Sequence, residues 1–394
     1  MALNGKQRPP CPYLSALQKA SDPIEHISGN QSQQPFLPET LIAGKWCFRQ
    51  NRALINLAGN IVKPLSNQQR LNQVNTEQLF ENYRPALTHA AAYTYGMRWK
   101  TVRDAQYLFK DSDRRGNGKS LGLRSPQTEE LLAVFSAGRE TAKERLRLIT
   151  EKIEEQARLN KALRLNRVPR VVARVLRELD EASLQDSFTV IGTQALYAYE
   201  AAAGSHFLLE LLASGDVDLL YDARQKMTVV SEKLDGNGLL GLLKKADKTF
   251  ECVRPNSYRA ANAGQFMVDL VIAPLGMHSR TNITFADSDL VATEVPGLQW
   301  LLNSPKLEAV AIDEDGWPVP IRVADPRAFA LHKAWLSGLP TREPLKKPRD
   351  LDQARAVARL VQDQMPQLPF ESTLTSLHGD VRKMLQVLIP NVSP

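Results

Sequence analysis

The sequence has few cysteines and no long apolar run. Its three cysteines (Cys11, Cys47 and Cys252) lie far apart, so we expect neither a disulfide framework nor a cysteine zinc site, which favours a reducing cytoplasm. No run approaches the roughly 18 apolar residues of a membrane span, and MALNGKQRPPCPYL lacks the apolar centre of a secretory signal. We therefore expect a cytoplasmic location and no membrane partner.

Size and charge set wide limits on what the chain can do. Its 394 residues, of which 43% are hydrophobic, suffice for two or three domains with a sizeable core. The net charge of +7 is modest for this length, so it permits a nucleic acid or nucleotide partner without requiring one. The six histidines show no metal-ligand spacing. Nothing in the sequence indicates an oligomeric state.

The composition and the apolar periodicity of the sequence change near residue 80. Residues 1–80 are dense in Gln, Asn, Pro and Ser with weak apolar periodicity, so we predict a poorly ordered extension. Residues 81–180 are predicted to form a hairpin, turning near Arg103-Asp104, and a long basic helical region. Between them, DSDRRGNGKSLGLRSP contains GNGKS but does not meet the spacing of a phosphate loop, and we expect a flexible linker.

A long helix is predicted to start at Ser125-Pro126, a helix cap followed by a first-turn proline, and to run to about residue 165. Val168-Pro169 breaks it, and Arg170–Glu181 reads as a second amphipathic helix. A series of cations without an intervening acid spans both helices, namely Arg158, Lys161, Arg164, Arg167, Arg170, Arg174 and Arg177. It is either a ridge that contacts phosphates or a solvated helix face.

Residues 188–224 carry the strongest pattern in the chain. A short apolar strand, Phe188–Ile191, stops at Gly192-Thr193, and an alanine-rich helical run leads to a second strand that begins with Asp216-Val217-Asp218. The order is that of a βαβ-like unit. Gly192 allows a phosphate to approach the backbone closely, and the following helix offers free N–H groups to an anion.

Strand alternation places Asp216 and Asp218 on one face of the second strand. Two carboxylates at that spacing repel each other unless a cation lies between them. Mg²⁺ is usually held by one or two carboxylates together with substrate phosphates. The pattern therefore predicts a nucleotide–metal site.

A third carboxylate, Asp269, interrupts the apolar run FMVDLVI. Because an unpaired buried acid is costly, we predict that Asp269 faces the same metal; the alternative is an acid at a strand end that caps a loop. Asp287-Ser288-Asp289 repeats the D-x-D spacing, but it lies in a polar stretch without a preceding glycine turn, and we interpret it as a loop or edge strand.

The remainder completes an α+β protein. Residues 181–324 are predicted to form a mixed sheet with flanking helices, and residues 325–394 a helical region. In that region RAFALHKAWLSG carries Lys333, and the basic stretch TREPLKKPRD ends at Asp350.

These residues resemble the DNA polymerase beta-like nucleotidyltransferase superfamily, whose pattern is G-[GST], then D-x-[DE], then a late third acid. IGTQALYAYEAAAG, DVDLLYDAR, FMVDL and DPRAFALHKAWLS look like a group of bacterial nucleotidyltransferase-fold proteins akin to abortive-infection toxins. The resemblance spans about two thirds of the chain. Thr193 stands where Ser or Gly is usual, which adds bulk beside the phosphates.

The resemblance implies a catalytic domain at 181–324 that moves an NMP from an NTP to a hydroxyl on RNA, tRNA or protein. By that resemblance, Asp216, Asp218 and Asp269 would hold two Mg²⁺ ions, with Mn²⁺ as a substitute. The expected nucleotide-binding residues are Gly192, Thr193, Lys333, Lys346, Lys347 and Arg349.

Two other functions fit the same sequence. One is a non-catalytic module with this fold that binds nucleotide, RNA or a partner protein. The other is a basic helical interaction protein built on residues 126–177, with the α+β domain as a scaffold.

Overall fold

An eight-stranded mixed sheet lies at the centre of the computed structural model. The structure describes residues 61–225, 227–234, 236–275, 283–370 and 379–389. Its strands are β1 Val62–Pro64, β2 Met97–Val102, β3 Ala105–Asp111, β4 Gly118–Leu123, β5 Phe188–Ile191, β6 Ser205–Phe207, β7 Asp216–Tyr221, β8 Glu251–Cys252, β9 Arg259–Ala261, β10 Met267–Ile272, β11 Thr293–Glu294, β12 Lys306–Ile312 and β13 Pro318–Ala324.

Helices surround this sheet and extend beyond it. They are α1 Asn67–Ala91, α2 Pro126–Ala162, α3 Arg170–Glu181, α4 Leu196–Ala203, α5 Leu209–Leu212, α6 Met227–Lys233, α7 Gly238–Ala246, α8 Leu298–Asn303, α9 Pro326–Gly338, α10 Lys346–Gln364 and α11 Gly379–Leu388. None of the described helices is both long and apolar enough to cross a bilayer. The mixed α and β content agrees with the predicted α+β class.

The strand order of the main sheet is β12-β13-β5-β7-β10-β9-β8, with β11 also paired to β10. β7 and β10 run parallel, whereas β5 and β7 run antiparallel. The interpretation of residues 188–224 as a βαβ-like unit is therefore wrong in strand direction, because a true βαβ crossover joins parallel strands. The chain instead reverses through α4, β6 and α5.

The two faces of the sheet pack differently because side chains alternate along each strand. Val190, Leu219 and Leu270 lie in the larger apolar cluster, together with residues of α3 and α7. Ile191, Leu220 and other residues of the opposite face join a smaller cluster that includes α8 and the first turns of α9. Asp218 and Leu220 share that second face, so the carboxylates lie on the side that α8 and α9 cover only in part.

The N-terminal prediction needs correction for the residues that the structure describes. β1 pairs with β6, and α1 begins at a capping box in which Ser66 and Gln69 each accept from the other's backbone N–H. Residues 61–80 are thus folded, and the predicted boundary after residue 80 falls inside α1. The expectation for residues 1–60 lies outside the described residues.

Helix α1 is fixed to α2 by buried polar side chains. The Asn160 amide donates to Thr76 Oγ1 at 3.0 Å and to the Gly316 carbonyl at 2.9 Å, and Gln156 Nε2 donates to Asn72 Oδ1 at 2.8 Å. Buried amides are tolerated when they are paired in this way. The network explains why a helix as polar as α1 packs against the domain.

The hairpin at Arg103-Asp104 is confirmed, and both turn residues have positive φ, as a tight two-residue hairpin requires. The segment that follows is not a linker. Residues 118–123 form β4, which pairs with β3 and closes a three-stranded antiparallel sheet. The glycines that favoured a linker are accommodated there: a Cβ at Gly118 would meet the Lys110 carbonyl of the neighbouring strand.

Helix α2 begins at Ser125-Pro126 as predicted, and α3 has the predicted bounds. The cations of the basic series are not all free in the structure. Arg167 pairs with Glu200 at 2.6 Å, Arg170 with Asp315 at 2.6 Å and Arg177 with Asp313 at 2.8 Å. These three arginines join the helices to the sheet domain.

The Arg167–Glu200 pair, which like Arg177–Asp313 contains a buried acid, gives a stability prediction. Arg167→Met leaves Glu200, which is 3% exposed, without its cation, and we expect a loss of about 3–5 kcal/mol in the free energy of unfolding. Urea denaturation measures it. Arg170→Met is the matched control, since its pair with Asp315 is exposed and we expect a change of about 0–1 kcal/mol. Equal losses in the two variants would contradict the difference in burial.

Candidate active site

The two neighbouring carboxylates begin strand β7. Asp216 and Asp218 are half-buried on one face, while Val217 and Leu219 are buried on the other. β10 runs beside β7 in a register that places Asp269 opposite Asp218. Because residues opposite each other in a parallel pair share a face, the three acids converge on one surface of the sheet. The shared face agrees with the sequence, whereas the prediction that all three acids face one metal stays a prediction.

Gly192 closes the site from the β5 side. In the antiparallel pairing of β5 with β7, Ile191 lies opposite Asp218, so the turn after β5 passes next to that carboxylate. Gly192 has φ +68°, and a Cβ built on it would collide with Asp218 Oδ2. Both the backbone conformation and the space therefore require glycine at this position.

The Asp218 carboxyl lacks compensating positive charge. Burial, followed by the neighbouring Asp216 and Asp269 carboxylates, raises its pKa from 3.8 to about 7, although Lys333 and Arg259 act in the opposite direction. A carboxylate in this position favours binding of a cation because a cation stabilises the ionised form. The local electrostatics thus leave room for added positive charge beside Asp218.

Asp269 is already paired with an arginine that the sequence reasoning did not identify. Arg259 of β9 donates from Nε and Nη2 to the two carboxylate oxygens of Asp269, both at 2.6 Å. Asp269 is 5% exposed, so this bidentate pair satisfies the buried acid. The alternative of an acid that caps a loop is not what the structure shows. Arg259 and Asp269 lie opposite each other in the β9–β10 pairing, a relation that only the strand register reveals.

Hydrogen bonds from two neighbouring side chains hold the carboxylate and the backbone carbonyl of Asp216. Ser214 Oγ donates to Asp216 Oδ1, and Gln194 Nε2 donates to the Asp216 carbonyl at 2.9 Å. Gln194 belongs to the 3-10 turn Gly192–Ala195, so this hydrogen bond joins the glycine turn to the first residue of β7. Neither Ser214 nor Gln194 was predicted as a site residue.

Thr193 faces the C-terminal helix α10. Its Oγ1 accepts from Gln353 Nε2 at 3.2 Å and from Arg349 Nη2 at 3.4 Å, and Arg349 also donates to the Ala213 carbonyl. The structure thus brings the predicted residues Thr193 and Arg349 together. Gln353 is fully buried, and its Oε1 has no partner among the described residues.

Lys333 lies in a buried network with two partners. Its Nζ is 2.8 Å from Asp350 Oδ1, and Arg342 Nε is 2.7 Å from Asp350 Oδ2. The side chain of Lys333 is 9% exposed, so its ammonium is committed to Asp350 while still acting on the charge of Asp218. Lys346 pairs with Glu343 in an exposed contact, and Lys347 is half-buried in the same first turn of α10.

The donors fit a magnesium ion in part. Asp216 and Asp218 supply two carboxylates on one face with unbalanced negative charge, which suits an ion that takes its other ligands from phosphates and water. The oxygens of Asp269 are occupied by Arg259. The described residues contain no group of three or more acidic, His or Cys side chains in an arrangement that could hold a metal.

Two other features of the domain lie away from these acids. A cavity of about 890 Å³ is lined by Phe188, Val190 and Leu219, which point to the opposite face of the sheet from Asp218.

Asp289 accepts from the backbone N–H groups of Leu239 at 2.8 Å and Leu240 at 2.7 Å. The second D-x-D therefore caps α7 and is not part of the acidic site.

The comparisons with known proteins give one family match. The sequence model of a family described as nucleotidyltransferase matches residues 170–378. This range is just over half of the 394 residues and contains the whole of the acidic site. The chain belongs to this nucleotidyltransferase family. No curated protein and no solved structure matches it.

The glycine turn of this nucleotidyltransferase generates a prediction with a built-in control. Gly192→Ala and Gly204→Ala both place a Cβ at positive φ, which costs about 1 kcal/mol in each. A Cβ at Gly204 lies 3.9 Å from the nearest atoms of Arg70, whereas one at Gly192 displaces the Asp218 carboxylate. We expect NTP binding, measured by isothermal titration calorimetry, to be lost in the first variant and kept in the second. Binding by Gly192→Ala would contradict the close approach.

The Lys333 network generates a second prediction. Lys333→Met removes one cation from the buried Asp350, and we expect a loss of about 3 kcal/mol or more in the free energy of unfolding. Lys346→Met is the control because its ion pair with Glu343 is exposed and is worth about 0–1 kcal/mol. Should the two variants unfold at the same urea concentration, Lys333 would be free of Asp350 and available to a ligand.

Proposed function

We propose that the chain transfers a nucleoside monophosphate from an NTP to a hydroxyl acceptor, using the surface formed by Gly192, Asp216 and Asp218. The observation that carries the proposal is the placement of Asp216 and Asp218 on one face of β7, beside a glycine turn that leaves no room for another side chain; the raised pKa of Asp218 supports it. Such a site stabilises a ligand that brings both a divalent cation and phosphates. The family match supports the transferase class of the reaction.

The chain's own residues would act by positioning and by charge. Asp216 and Asp218 would hold Mg²⁺ or Mn²⁺, and Ser214 and Gln194 keep Asp216 in place. Bound there, a divalent ion supplies positive charge to the triphosphate and lowers the pKa of the acceptor hydroxyl. The backbone of Gly192 and the hydroxyl of Thr193 would receive phosphate oxygens, with Arg349 next to Thr193.

The reaction forms one bond and breaks one. The acceptor oxygen bonds to the α-phosphorus, the bond from that phosphorus to the pyrophosphate oxygen breaks, and the hydroxyl proton is released. Little covalent participation of the protein is needed, because phosphoryl-type transfer depends on alignment and charge stabilisation. Asp269 would add its oxygens to the metal site once Arg259 turns away from it, which frees the Arg259 guanidinium for a phosphate.

Lys346 and Lys347, in the first turn of α10, complete the set of cations that we propose for the triphosphate or an RNA acceptor. Lys333 is paired with Asp350 and would act electrostatically, through its effect on the Asp218 carboxylate. The acceptor is RNA, tRNA or protein. The resemblance to abortive-infection toxins also supports a toxin or defence role for the same chemistry, and we keep it as part of the proposal.

A binding module without catalysis is the second candidate, and one observation favours it. The bidentate Arg259–Asp269 pair satisfies the third acid internally, as in a domain that binds nucleotide without a full set of metal ligands. NTP binding without release of pyrophosphate in the presence of total cell RNA and protein would support this candidate.

The test of transfer uses α-labelled NTPs with Mg²⁺ and total cell extract. Asp218→Asn and Asp216→Asn keep the side-chain shape and remove the charge, and we expect each to reduce labelling at least about a hundredfold. Asp287→Asn is the control because Asp287 belongs to the second D-x-D and is exposed. Wild-type labelling by either site variant would overturn the proposed function.

A further inference from the structure

The three-stranded sheet of β2, β3 and β4 has an inner and an outer face. On the inner face, Leu108 is fully buried, Lys110 Nζ lies 5.8 Å from the centroid of the Phe135 ring of α2, and a Cβ at Gly122 would lie 3.6 Å from Thr128 Cγ2. Helix α2 therefore packs against this face. The function proposed above makes no use of the sheet.

The outer face combines aromatic and cationic side chains. Tyr107 and Phe109 are two residues apart on the central strand β3, so they point the same way, and both are half-buried. Lys100 and Arg98 lie directly opposite them on β2 and are exposed. Leu123 of β4 lies opposite Tyr107 on the other side and is 54% exposed. We name Arg98, Lys100, Tyr107 and Phe109 the β2–β3 platform.

Charge is concentrated on this small sheet. Residues 96–124 contain eight Lys or Arg and three Asp or Glu, so they carry +5 of the net +7 of the chain. Part of it is already engaged, since Arg98 pairs with Asp111 at 3.1 Å. Lys100 Nζ lies 4.9 Å from the centroid of the Phe109 ring. Lys100 thus covers a face of the Phe109 ring, and a base that stacks there would displace the ammonium toward the adjacent phosphate.

We propose that the β2–β3 platform binds single-stranded RNA, with bases stacked on Tyr107 and Phe109 and backbone phosphates at Arg98 and Lys100. Half-buried rings on an open sheet offer a flat face to unpaired bases, and cations beside them neutralise the strand between bases. A duplex keeps its bases stacked inside and gains only the phosphate contacts. An acidic protein surface would use the positive charge but would make no use of rings that can stack on bases.

The test measures binding of a fluorescein-labelled single-stranded RNA of about 20 nucleotides by the full chain, using fluorescence anisotropy without NTP or divalent ions. Tyr107→Leu/Phe109→Leu keeps apolar volume and removes the stacking faces. We expect this double variant to weaken binding about tenfold per ring with an unchanged salt slope. Arg98→Gln/Lys100→Gln should instead reduce the slope of log Kd against log salt by about 1.4.

Arg158→Gln/Lys161→Gln is the matched control, since it removes two exposed cations of the basic series on α2. We expect its affinity and salt slope to equal those of the wild type. Lys100→Gln alone serves if the double variants fail to fold by circular dichroism, because it leaves the Arg98–Asp111 pair intact. It should reduce the slope by about 0.7.

Absence of binding by the wild type, wild-type affinity in the aromatic variant, or an equal loss in the α2 control would each overturn the proposal. A blunt-ended RNA duplex of the same length should bind more weakly than the single strand and be insensitive to the aromatic substitutions. Because the measurement uses no NTP and no metal, its outcome is independent of whether the chain transfers nucleotides.

Discussion

Electrostatic repulsion beside Asp218 is the constraint on which the candidate site depends. The parallel pairing of β7 with β10 places Asp269 next to it, and strand alternation places Asp216 on the same face. Together with burial, these neighbours raise the pKa of Asp218 to about 7. A fold rarely keeps this arrangement for stability alone, since repulsion between neighbouring carboxylates lowers the free energy of unfolding. The charge of a bound ligand is what such a site lacks.

The cations around the acids are already paired with groups of the protein. Arg259 is bound to Asp269, Lys333 to Asp350, and Arg349 to the Ala213 carbonyl and Thr193. Arg259 and Lys333 also act on Asp218, whose pKa they lower. This arrangement limits the cost of the acids without filling the space beside Asp218. It also distributes the site over β7, β9, β10 and the C-terminal helices α9 and α10.

Much of this was accessible from local sequence patterns. The spacing of Asp216 and Asp218 fixes a common face, Ser125-Pro126 fixes the start of α2, and Arg103-Asp104 fixes the hairpin, because each depends on neighbours within a few residues. Predictions that depended on composition alone failed where packing decides. Residues 61–80 are polar, yet α1 forms there because it packs against α2. The glycine-rich segment 118–123 is a strand because it pairs with β3.

The sequence by itself determined the alternation of acids on β7, the glycine before the helix and the caps, since these follow from the chemistry of a few consecutive residues. Only the tertiary structure decided that Arg259 holds Asp269, that Lys333 is buried against Asp350 and that Tyr107 and Phe109 face outward beside Arg98 and Lys100. Those contacts join distant segments or depend on strand register. Register is set by how sheets and helices pack, and a single strand does not contain it.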